Sequence, residues 1–260
     1  MAPSEDPKID PLKRFSDRVG DYVKYRPSYP APLMEFLQAS AGLGPQATVA
    51  DVGSGTGIFT GLLLGTGARV IAVEPNDAMR EAAEYAFRDR PGFQSMKGTA
   101  EATGLADASV SLITCAQAFH WFRPDETRAE FRRILRPSAL CALVWNTSVA
   151  DKSDFALGYE KVKMEHGTDF KQVRHEVMPK ESRADGFFGR GNWKRHVFEN
   201  HQLLDLEGLK GRLLSSSYAP QKGRPGHLPM ITALEDLFVR TQRDGFVRMD
   251  YVTELFLGRL

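Results

Sequence analysis

One segment, VADVGSGTGIFTG, constrains the fold of this chain more than any other part of its sequence. An apolar run rich in β-branched residues ends near Asp51, glycines follow at alternate positions from Gly53 to Gly57, and an apolar helix pattern begins directly afterwards. Glycine adopts backbone conformations that other residues avoid, and its missing side chain lets a ligand approach the backbone. The segment therefore predicts a strand, a ligand-binding turn and a helix, in that order.

The spacing of these glycines does not fit the dinucleotide fingerprint G-x-G-x-x-G, because Ile58 stands where the third glycine would be. Glu74 ends the next apolar run, ARVIAVE. A carboxylate at the end of a second strand can accept hydrogen bonds from both hydroxyls of a ribose. Together the two features predict a site for a ligand that contains adenosine.

Residues 30–147 alternate between helix and strand patterns at the spacing of a parallel sheet. Strands without polar alternation are expected where helices cover both faces of the sheet. After Asn146 the pattern changes: RHVFENHQLLD alternates like an antiparallel strand, and GFVRMDYVTELFLGRL predicts a closing edge strand. The five strands predicted before that point are ATVADVG, ARVIAVE, FQSMKG, SVSLITCAQ and LCALVWN.

These patterns predict an α/β fold. Its sheet is Rossmann-like, doubly wound and seven-stranded, mostly parallel with the last strand antiparallel, and a cap is inserted after strand 5. The predicted boundaries are a disordered tail at 1–14, a lid segment with the cofactor-binding core at 15–149, a substrate cap at 150–192, and the C-terminal part of the core sheet at 193–260.

Composition excludes several classes of partner. The formal net charge of +1 gives no global cationic field for nucleic acid or anionic lipid. The chain has no long uncharged apolar run, so we expect no membrane span, and its N-terminus does not resemble a secretory signal. Cys115 and Cys141 lie in apolar runs and are typical of buried thiols in a reducing, cytoplasmic compartment rather than of a metal site.

The motifs of the chain resemble the class I S-adenosylmethionine-dependent methyltransferases, in particular the small-molecule "type 11" group that includes trans-aconitate methyltransferase-like proteins. The resemblance extends over nearly the whole chain from about residue 15, and Ser138-Ala139 departs from the Gly-Gly that the family usually has in that turn. The segments that carry it are VADVGSGTG, VIAVEPNDAM, GTAEATGLADASVSLITCAQAFHWF, RRILRPSALCALVWN, YVKYRPSYP and RLLSSSYAP.

The resemblance implies S-adenosylmethionine as cofactor, with S-adenosylhomocysteine as its product. It implies that the glycine turn lines the methionine and ribose moieties, that Glu74 holds the ribose diol, and that Arg26 pairs with the cofactor carboxylate, although a plain loop role for Arg26 stays open. The implied cofactor-binding residues are Tyr22, Arg26, Asp51, Gly53, Ser54, Gly55, Thr56, Gly57, Glu74, Pro75, Met79, Ala100, Glu101, Gln117, Ala118 and Phe119.

His120 is the candidate general base, because it follows the fourth strand at the end of the sheet where acceptor and cofactor should meet. The alternative is that it only holds the loop or shapes the pocket. Met79 is equally well explained as core filler. The candidate residues of the acceptor pocket are Tyr25, Trp121, Trp145 and Asn146.

The predicted function is direct methyl transfer to an oxygen, nitrogen or carbon nucleophile of a small metabolite, by a monomer or homodimer without metal, nucleic acid or membrane partners. A non-methylating S-adenosylmethionine-binding protein, or a cyclase on the same fold, stays open as an alternative. A nicotinamide-dependent oxidoreductase is disfavoured, because the chain lacks both G-x-G-x-x-G and a Tyr-x-x-x-Lys pair.

Overall fold

A computed structural model describes residues 24–150, 153–168, 170 and 180–260 of the chain. The predicted tail at 1–14 and Tyr22 lie outside these residues. The strands are β1 (Thr48–Val52), β2 (Arg69–Val73), β3 (Phe93–Met96), β4 (Val110–Ala116), β5 (Leu135–Ser148), β6 (Trp193–Leu204) and β7 (Val247–Gly258). The helices are α1 (Ala31–Ala41), α2 (Ile58–Gly65), α3 (Asp77–Phe87), α4 (Pro124–Ile134), α5 (Asp154–His166), α6 (Lys180–Phe188), α7 (Leu206–Leu214) and α8 (His227–Thr241).

The seven strands form one sheet in the order β3-β2-β1-β4-β5-β7-β6. The strands from β3 to β5 are parallel to their neighbours, whereas β7 runs antiparallel to both β5 and β6. The predicted fold class, a seven-stranded and mostly parallel Rossmann-like sheet with an antiparallel last strand, is therefore confirmed. The order reverses between β1 and β4, the switch point where open α/β sheets bind ligands.

The prediction that the last strand closes the edge of the sheet was wrong. β7 lies inside the sheet and β6 forms the edge. The burial of the two strands explains the difference: side chains along β6 alternate between exposed and half-buried, whereas β7 ends in an unbroken buried run. The fifth strand is also longer than predicted, because it begins at Leu135 and contains Ser138, which has a φ of +64°.

Helices cover both faces of the sheet, and each face has its own apolar core. One core packs Phe131 of α4 and Phe187 of α6 against β4, β5 and β7. The other packs Leu37 of α1 and Leu63 of α2 against the opposite face. Burial on both faces is the reason that β1, β2 and β4 have nearly continuous apolar sequences.

A third apolar cluster lies beyond the carboxyl end of β5. It joins α5, α7 and α8 to the beginning of β7, with Tyr159, Leu213 and Leu237 among its buried members. α5 and α6 fall within the predicted cap at 150–192, and α6 packs directly on the sheet through Phe187 and Phe188. That these residues cover an acceptor stays a prediction.

Within the described residues, no helix has the length and apolar character needed to cross a membrane. Within that same part of the chain, no group of three or more His, Cys, Asp or Glu side chains is placed to hold a metal ion.

Candidate functional site

The glycine turn joins β1 to α2 at the carboxyl end of the sheet. The backbone N–H groups of Gly53 and Ser54 donate to the carbonyl of Val73, at 2.9 and 3.2 Å. Gly53, Gly55 and Gly57 all have positive φ angles, of 70°, 58° and 86°. Such angles strain other residue types, so the backbone of this turn requires the alternating glycines.

The space around these glycines differs from one position to the next. A Cβ atom at Gly53 would lie 2.5 Å from the Cβ of Ala118, and one at Gly57 would lie 2.5 Å from the ring of Phe87. At Gly55 the nearest atom is the Sδ of Met79, at 3.8 Å. Gly53 and Gly57 are thus required by contacts within the protein, whereas Gly55 alone leaves room for a ligand.

Asp51 supports the glycine turn from inside the protein and does not line the ligand site. The side chain is fully buried and accepts hydrogen bonds from Thr60 Oγ1 at 2.7 Å and Thr114 Oγ1 at 2.8 Å. Burial raises the pKa of Asp51 to about 6, and the two hydroxyls only partly offset that effect. The carboxylate of Asp51 therefore joins the start of α2 to β4 and is not presented to a ligand.

Glu74 holds the glycine turn through its carboxylate. One carboxylate oxygen accepts the N–H of Gly55 at 2.8 Å, and the other accepts the N–H of Asn76 at 2.9 Å. Burial raises the pKa of Glu74, and the charge of Asp51 adds to that effect. A carboxylate can accept about four hydrogen bonds, so each oxygen of Glu74 retains the capacity for one more donor.

Within the residues that the structure describes, two hydroxyl groups of the turn have no hydrogen-bond partner. Ser54 Oγ and Thr56 Oγ1 are buried and make no hydrogen bond. A buried polar group without a partner costs free energy, about 1–3 kcal/mol. Together with the open space at Gly55 and the remaining capacity of Glu74, these hydroxyls form a cradle that fits a polar ligand.

Two of the predicted cofactor-binding residues, Pro75 and Met79, lie beside this cradle. The side chain of Asn76 caps α3 by accepting the N–H of Met79 at 3.0 Å, and Met79 is buried next to Gly55. Pro75 is half-buried, and Ala100 is buried in a core cluster. Burial opposes ionisation of Glu101, but hydrogen bonds, including one from the N–H of Arg123 at 2.9 Å, lower its pKa.

The turn after β4 lies against the glycine turn. Gln117 has a positive φ of 57°, and its side chain donates to the carbonyl of Asn146 at 2.7 Å. Ala118 is the residue that a side chain at Gly53 would strike. Phe119 is buried in an aromatic cluster with Trp145 and Phe187, at ring centroid distances of 6.2 and 4.6 Å. Gln117 and Ala118 thus shape the site, whereas Phe119 supports it from the core.

His120 lies in a short 3-10 helix, Phe119–Trp121, and its side chain is exposed. Its ring lies 4.9 Å from that of Trp121, which is 38% exposed. Crowding by protein atoms lowers the pKa of His120, and the positive charge of Arg183 on α6 lowers it further. The imidazole is therefore neutral at pH 7 and able to accept a proton.

The segment that contains Tyr25 and Arg26 crosses the carboxyl ends of β5 and β6. The carbonyl of Ser28 accepts hydrogen bonds from the side chains of Asn146 at 3.1 Å and Asn200 at 2.8 Å. Arg26 donates to the carbonyl of Ser215 at 2.8 Å, and the ring of Tyr25 lies directly against Gly211 of α7. The structure therefore places Arg26 beside α7, on the far side of Asn146 from the glycine turn.

Trp145, predicted to line the acceptor pocket, is buried. It packs against Phe119 and Phe256, and the ammonium group of Lys180 lies 5.9 Å from its ring centroid. Lys180 also forms an ion pair with Glu254, which Arg195 contacts at 2.7 Å. This charged cluster fixes the first turn of α6 to the sheet above Trp145.

Several residues that hold the site are not among the predicted site residues. Thr60 and Thr114 bind Asp51, and Arg212 with Tyr159 forms a buried polar group near Arg26. Arg212 and Thr114 lie in segments that carry the resemblance, RLLSSSYAP and GTAEATGLADASVSLITCAQAFHWF, but neither segment marks them as site residues. The threonines lie in ordinary apolar strand and helix patterns that give no indication of a carboxylate partner.

Comparison with known proteins gives a consistent result. A methyltransferase domain model matches residues 50–143. An uncharacterised methyltransferase-like protein of Schizosaccharomyces pombe is 28% identical over 249 residues, 94% of each chain. An uncharacterised methyltransferase of Mycobacterium tuberculosis is 38% identical over 133 residues, 51% of this chain and 52% of that protein.

Solved structures share the fold. A proposed type II methyltransferase from Anaeromyxobacter dehalogenans superimposes with a TM-score of 0.62 at 24% identity, over 90% of this chain and 98% of that one. A proposed methyltransferase from an antibiotic biosynthesis pathway of Anabaena variabilis gives a TM-score of 0.60 at 20% identity, over 91% and 99% of the two chains. The narrower resemblance to trans-aconitate methyltransferase-like proteins stays a prediction.

Proposed function

The chain belongs to the class I S-adenosylmethionine-dependent methyltransferases, and from this premise we propose that it methylates an oxygen, nitrogen or carbon nucleophile of a small molecule. The observation that carries the proposal is the cradle at the glycine turn. There the unpartnered hydroxyls of Ser54 and Thr56 surround the open position at Gly55, next to Glu74.

The cradle fits S-adenosylmethionine by the chemistry of its donors and acceptors. In the proposed mode Glu74 accepts the two ribose hydroxyls with the lone pairs that Gly55 and Asn76 leave available. Ser54 and Thr56 hold the polar methionine end. Met79 and Pro75 supply apolar contact to adenine, and the loop at Ala100 and Glu101 borders its edge.

We assign the part of the site where methyl transfer takes place to the turn after β4. When bound, the cofactor supplies an electrophilic methyl group, because its sulfonium is a good leaving group. The protein then needs mainly to align the acceptor, and alignment supplies as much as ~7–11 kcal/mol in well-oriented systems. Gln117 and Ala118 fix the shape of this end, since one binds Asn146 and the other packs on Gly53.

His120 is proposed to take the proton of an acceptor that must lose one. A ring nitrogen of the neutral imidazole accepts the proton of a hydroxyl, amine or acidic carbon as the methyl bond forms. A carboxylate acceptor needs no base, and His120 would then only border the site. A matched pair of variants, His120→Ala and His201→Ala, separates the two roles, because His201 is exposed on the remote edge strand β6.

We propose that the acceptor is a small molecule of the cytoplasm. The formal net charge of +1 supports a small acceptor, because it gives no global cationic field for a nucleic acid. We propose a monomer or homodimer that needs no metal ion.

The test has two stages. Calorimetric titration with S-adenosylhomocysteine and, separately, with NAD reports which cofactor class binds; we expect saturable binding of the first and none of the second. The protein with S-adenosylmethionine and a panel of small carboxylates, phenols and amines should then release S-adenosylhomocysteine, measured by mass spectrometry. Binding of NAD alone would overturn the proposal, and cofactor binding without turnover on any acceptor would favour a non-methylating binding protein.

A further inference from the structure

A hollow of about 520 Å³ lies at the opposite end of the sheet from the glycine turn. The end of α4, the start of β5 and the end of β7 surround it. We call it the arginine hollow, because four arginines line it: Arg132, Arg133, Arg136 and Arg259. Its volume is in the range of sites that bind small molecules, roughly 300–1,000 Å³.

The arginine hollow forms where β5 departs from the regular ladder of the sheet. β4 and β5 pair at Val110 with Leu135 and again at Leu112 with Leu140, so β5 advances five residues where β4 advances two. The residues at 136–139 therefore have no paired partner on β4. An insertion of this kind bends a strand and turns its side chains in new directions, and it is common next to functional sites.

Backbone strain is concentrated at the same place. Within the described residues, four residues other than glycine have positive φ angles, and two of them line the arginine hollow: Ala108 at 47° and Ser138 at 64°. A third, Gln117, belongs to the candidate site described above. Left-handed backbone is costly for a residue with a side chain, and strained positions cluster where proteins bind ligands.

The charge of the arginine hollow is positive, and only one of its four arginines forms ion pairs. Arg133 pairs with Asp107 at 2.6 Å and with Glu130 at 2.7 Å. Among the residues that the structure describes, no Asp or Glu side chain lines the hollow. In that same part of the chain, the exposed guanidinium groups of Arg132 and Arg259 make no ion pair or hydrogen bond.

Apolar residues lie deeper in the arginine hollow than its charged groups do. Leu135 is buried, and Ala139 and Leu260 pack against the same core cluster. Arg136 is exposed, and its guanidinium donates to the carbonyl of Ser109 at 3.1 Å, which fixes its position beside the hollow. Exposed cations around buried apolar side chains fit a ligand that has anionic groups on an organic body.

We propose that the arginine hollow binds a small molecule that carries at least two phosphate groups, as a nucleoside polyphosphate or an inorganic polyphosphate does. The planar fork of donors in a guanidinium matches the oxygens of a phosphate, and three arginines from separate segments match more than one such group. Arg132, Arg136 and Arg259 hold the phosphate oxygens, and the hydroxyl of Ser138 donates to one of them.

The arginine hollow is separate from the proposed methyl-transfer site, so the inference does not depend on the proposed function. The hollow lies at the start of β4, and the turn that shapes the methyl-transfer site follows the end of the same strand. β4 has seven residues, which span roughly 20 Å at about 3.3 Å per residue.

The test is calorimetric titration in the presence of excess S-adenosylhomocysteine, which keeps the cofactor cradle occupied. Inorganic triphosphate and GTP are the phosphate probes, and citrate is the carboxylate control. We expect saturable binding of triphosphate at one site, weaker binding as the salt concentration rises, and at least tenfold weaker binding of citrate. Tighter binding of GTP than of triphosphate would identify a nucleotide, and equal affinity would identify the inorganic ion.

Absence of binding by both phosphate probes would overturn the proposal. Binding of citrate as tightly as triphosphate would overturn it as well, because the hollow would then select charge and not phosphate.

Four variants test the residues of the arginine hollow. Arg132→Ala and Arg259→Ala each remove a charged donor from an exposed position and should weaken triphosphate binding about tenfold. Ser138→Gly should be at least as stable as wild type, because glycine adopts a φ of 64° without strain, and should bind triphosphate about threefold more weakly. The matched control is Arg90→Ala, an exposed arginine before β3 at the same end of the sheet, and its affinity should not change.

Equal losses in Arg90→Ala and Arg259→Ala would reveal a diffuse attraction between charges and overturn the assignment of a site. All four variants should bind S-adenosylhomocysteine as tightly as wild type. A parallel loss of that affinity would join the hollow to the cofactor site and contradict the proposal. Failure of the wild type to bind S-adenosylhomocysteine would refute the proposed function, and triphosphate binding would still support the arginine hollow.

Discussion

The two ends of the proposed site are built in different ways. The cofactor end, formed by the glycine turn with Asp51 and Glu74, is held largely by short-range contacts. Three of the four hydrogen bonds to these two carboxylates come from residues at most 19 positions away, and the fourth, from Thr114, spans 63. The proposed acceptor end, around Asn146 and the N-terminal segment, is held by contacts between distant parts of the chain: 118 residues separate Ser28 from Asn146, and 189 separate Arg26 from Ser215.

The difference explains how such a site can retain the same cofactor while its acceptor changes. A continuous strand, turn and helix specify most of the cofactor end, so its chemistry is contained in one short stretch of sequence. The acceptor end depends on the N-terminal segment, β5 and α7 meeting in space. Substitutions in any of those segments alter it without disturbing the glycine turn, and the predictions that follow set the two ends against each other.

The largest effect is expected from Gly53→Ala at the cofactor end. The added Cβ would lie 2.5 Å from the Cβ of Ala118, at a φ of 70°. Left-handed strain of about 1–2 kcal/mol and overpacking of about 1–3 kcal/mol should lower the free energy of unfolding by about 2–5 kcal/mol in urea melts. Gly65→Ala is the control, because no atom lies within 4 Å of its Cβ and its φ is not positive. Equal stability of the two variants would contradict this description of the turn.

The second effect concerns pH and Asp51. Burial raises the pKa of Asp51 from 3.8 to about 6, so the unfolded chain ionises at a lower pH than the native one. The stability associated with this group is therefore present below pH 3.8, falls as the pH rises through 6, and stays low above it. The full difference corresponds to about 3 kcal/mol at 1.36 kcal/mol per pH unit.

Asp51→Asn removes that ionisation and keeps acceptors or donors for both threonines. At pH 8 we expect it to unfold at a higher urea concentration than wild type, with the gain shrinking toward pH 4. A gain that did not depend on pH would contradict the assignment of the raised pKa. Because Asp51 lies below the turn, cofactor affinity should change less than stability does.

A smaller effect is expected at the acceptor end from Asn146→Ala. The variant loses the hydrogen bonds to Ser28, Thr253 and Asn200, which should cost about 1–2 kcal/mol of unfolding free energy. The KM for the acceptor should rise while the Kd of S-adenosylhomocysteine stays the same. Glu199→Ala, an exposed neighbour on β6, is the control. A parallel loss of cofactor affinity would show that the two ends are not independent.

The sequence predicted the elements of the fold because each has a clear period or an apolar run between glycines and prolines. It did not predict which strand forms the edge, because β7 pairs with β5 across more than 100 residues and no local pattern specifies that partner. The unbroken apolar run of β7 and the alternation in β6 contained the information, but only a comparison of the two strands would have revealed it.

The candidate site, like the fold, was predictable only in part. The glycine turn and Glu74 lie together as the motif indicates, whereas Phe119 and Trp145 are core residues that a linear motif cannot distinguish from ligand contacts. Asp51 belongs to the motif because its carboxylate binds Thr60 and Thr114 inside the protein, and not because it contacts a ligand. Tyr159 and Leu213 share an apolar cluster only because α5, α7, α8 and the start of β7 pack together, which no single segment encodes.

The central claim is that the cradle beside Glu74 binds S-adenosylmethionine, and calorimetric titration with S-adenosylhomocysteine tests it most directly. Wild type should bind at one site. Glu74→Gln should bind about 10- to 100-fold more weakly, because its amide presents one oxygen where the carboxylate presents two. The control is Asp77→Asn, which neutralises an exposed carboxylate on the adjacent helix α3. This variant should bind S-adenosylhomocysteine as tightly as wild type does. Absence of binding by the wild type, or equal affinity of Glu74→Gln and wild type, would contradict the account.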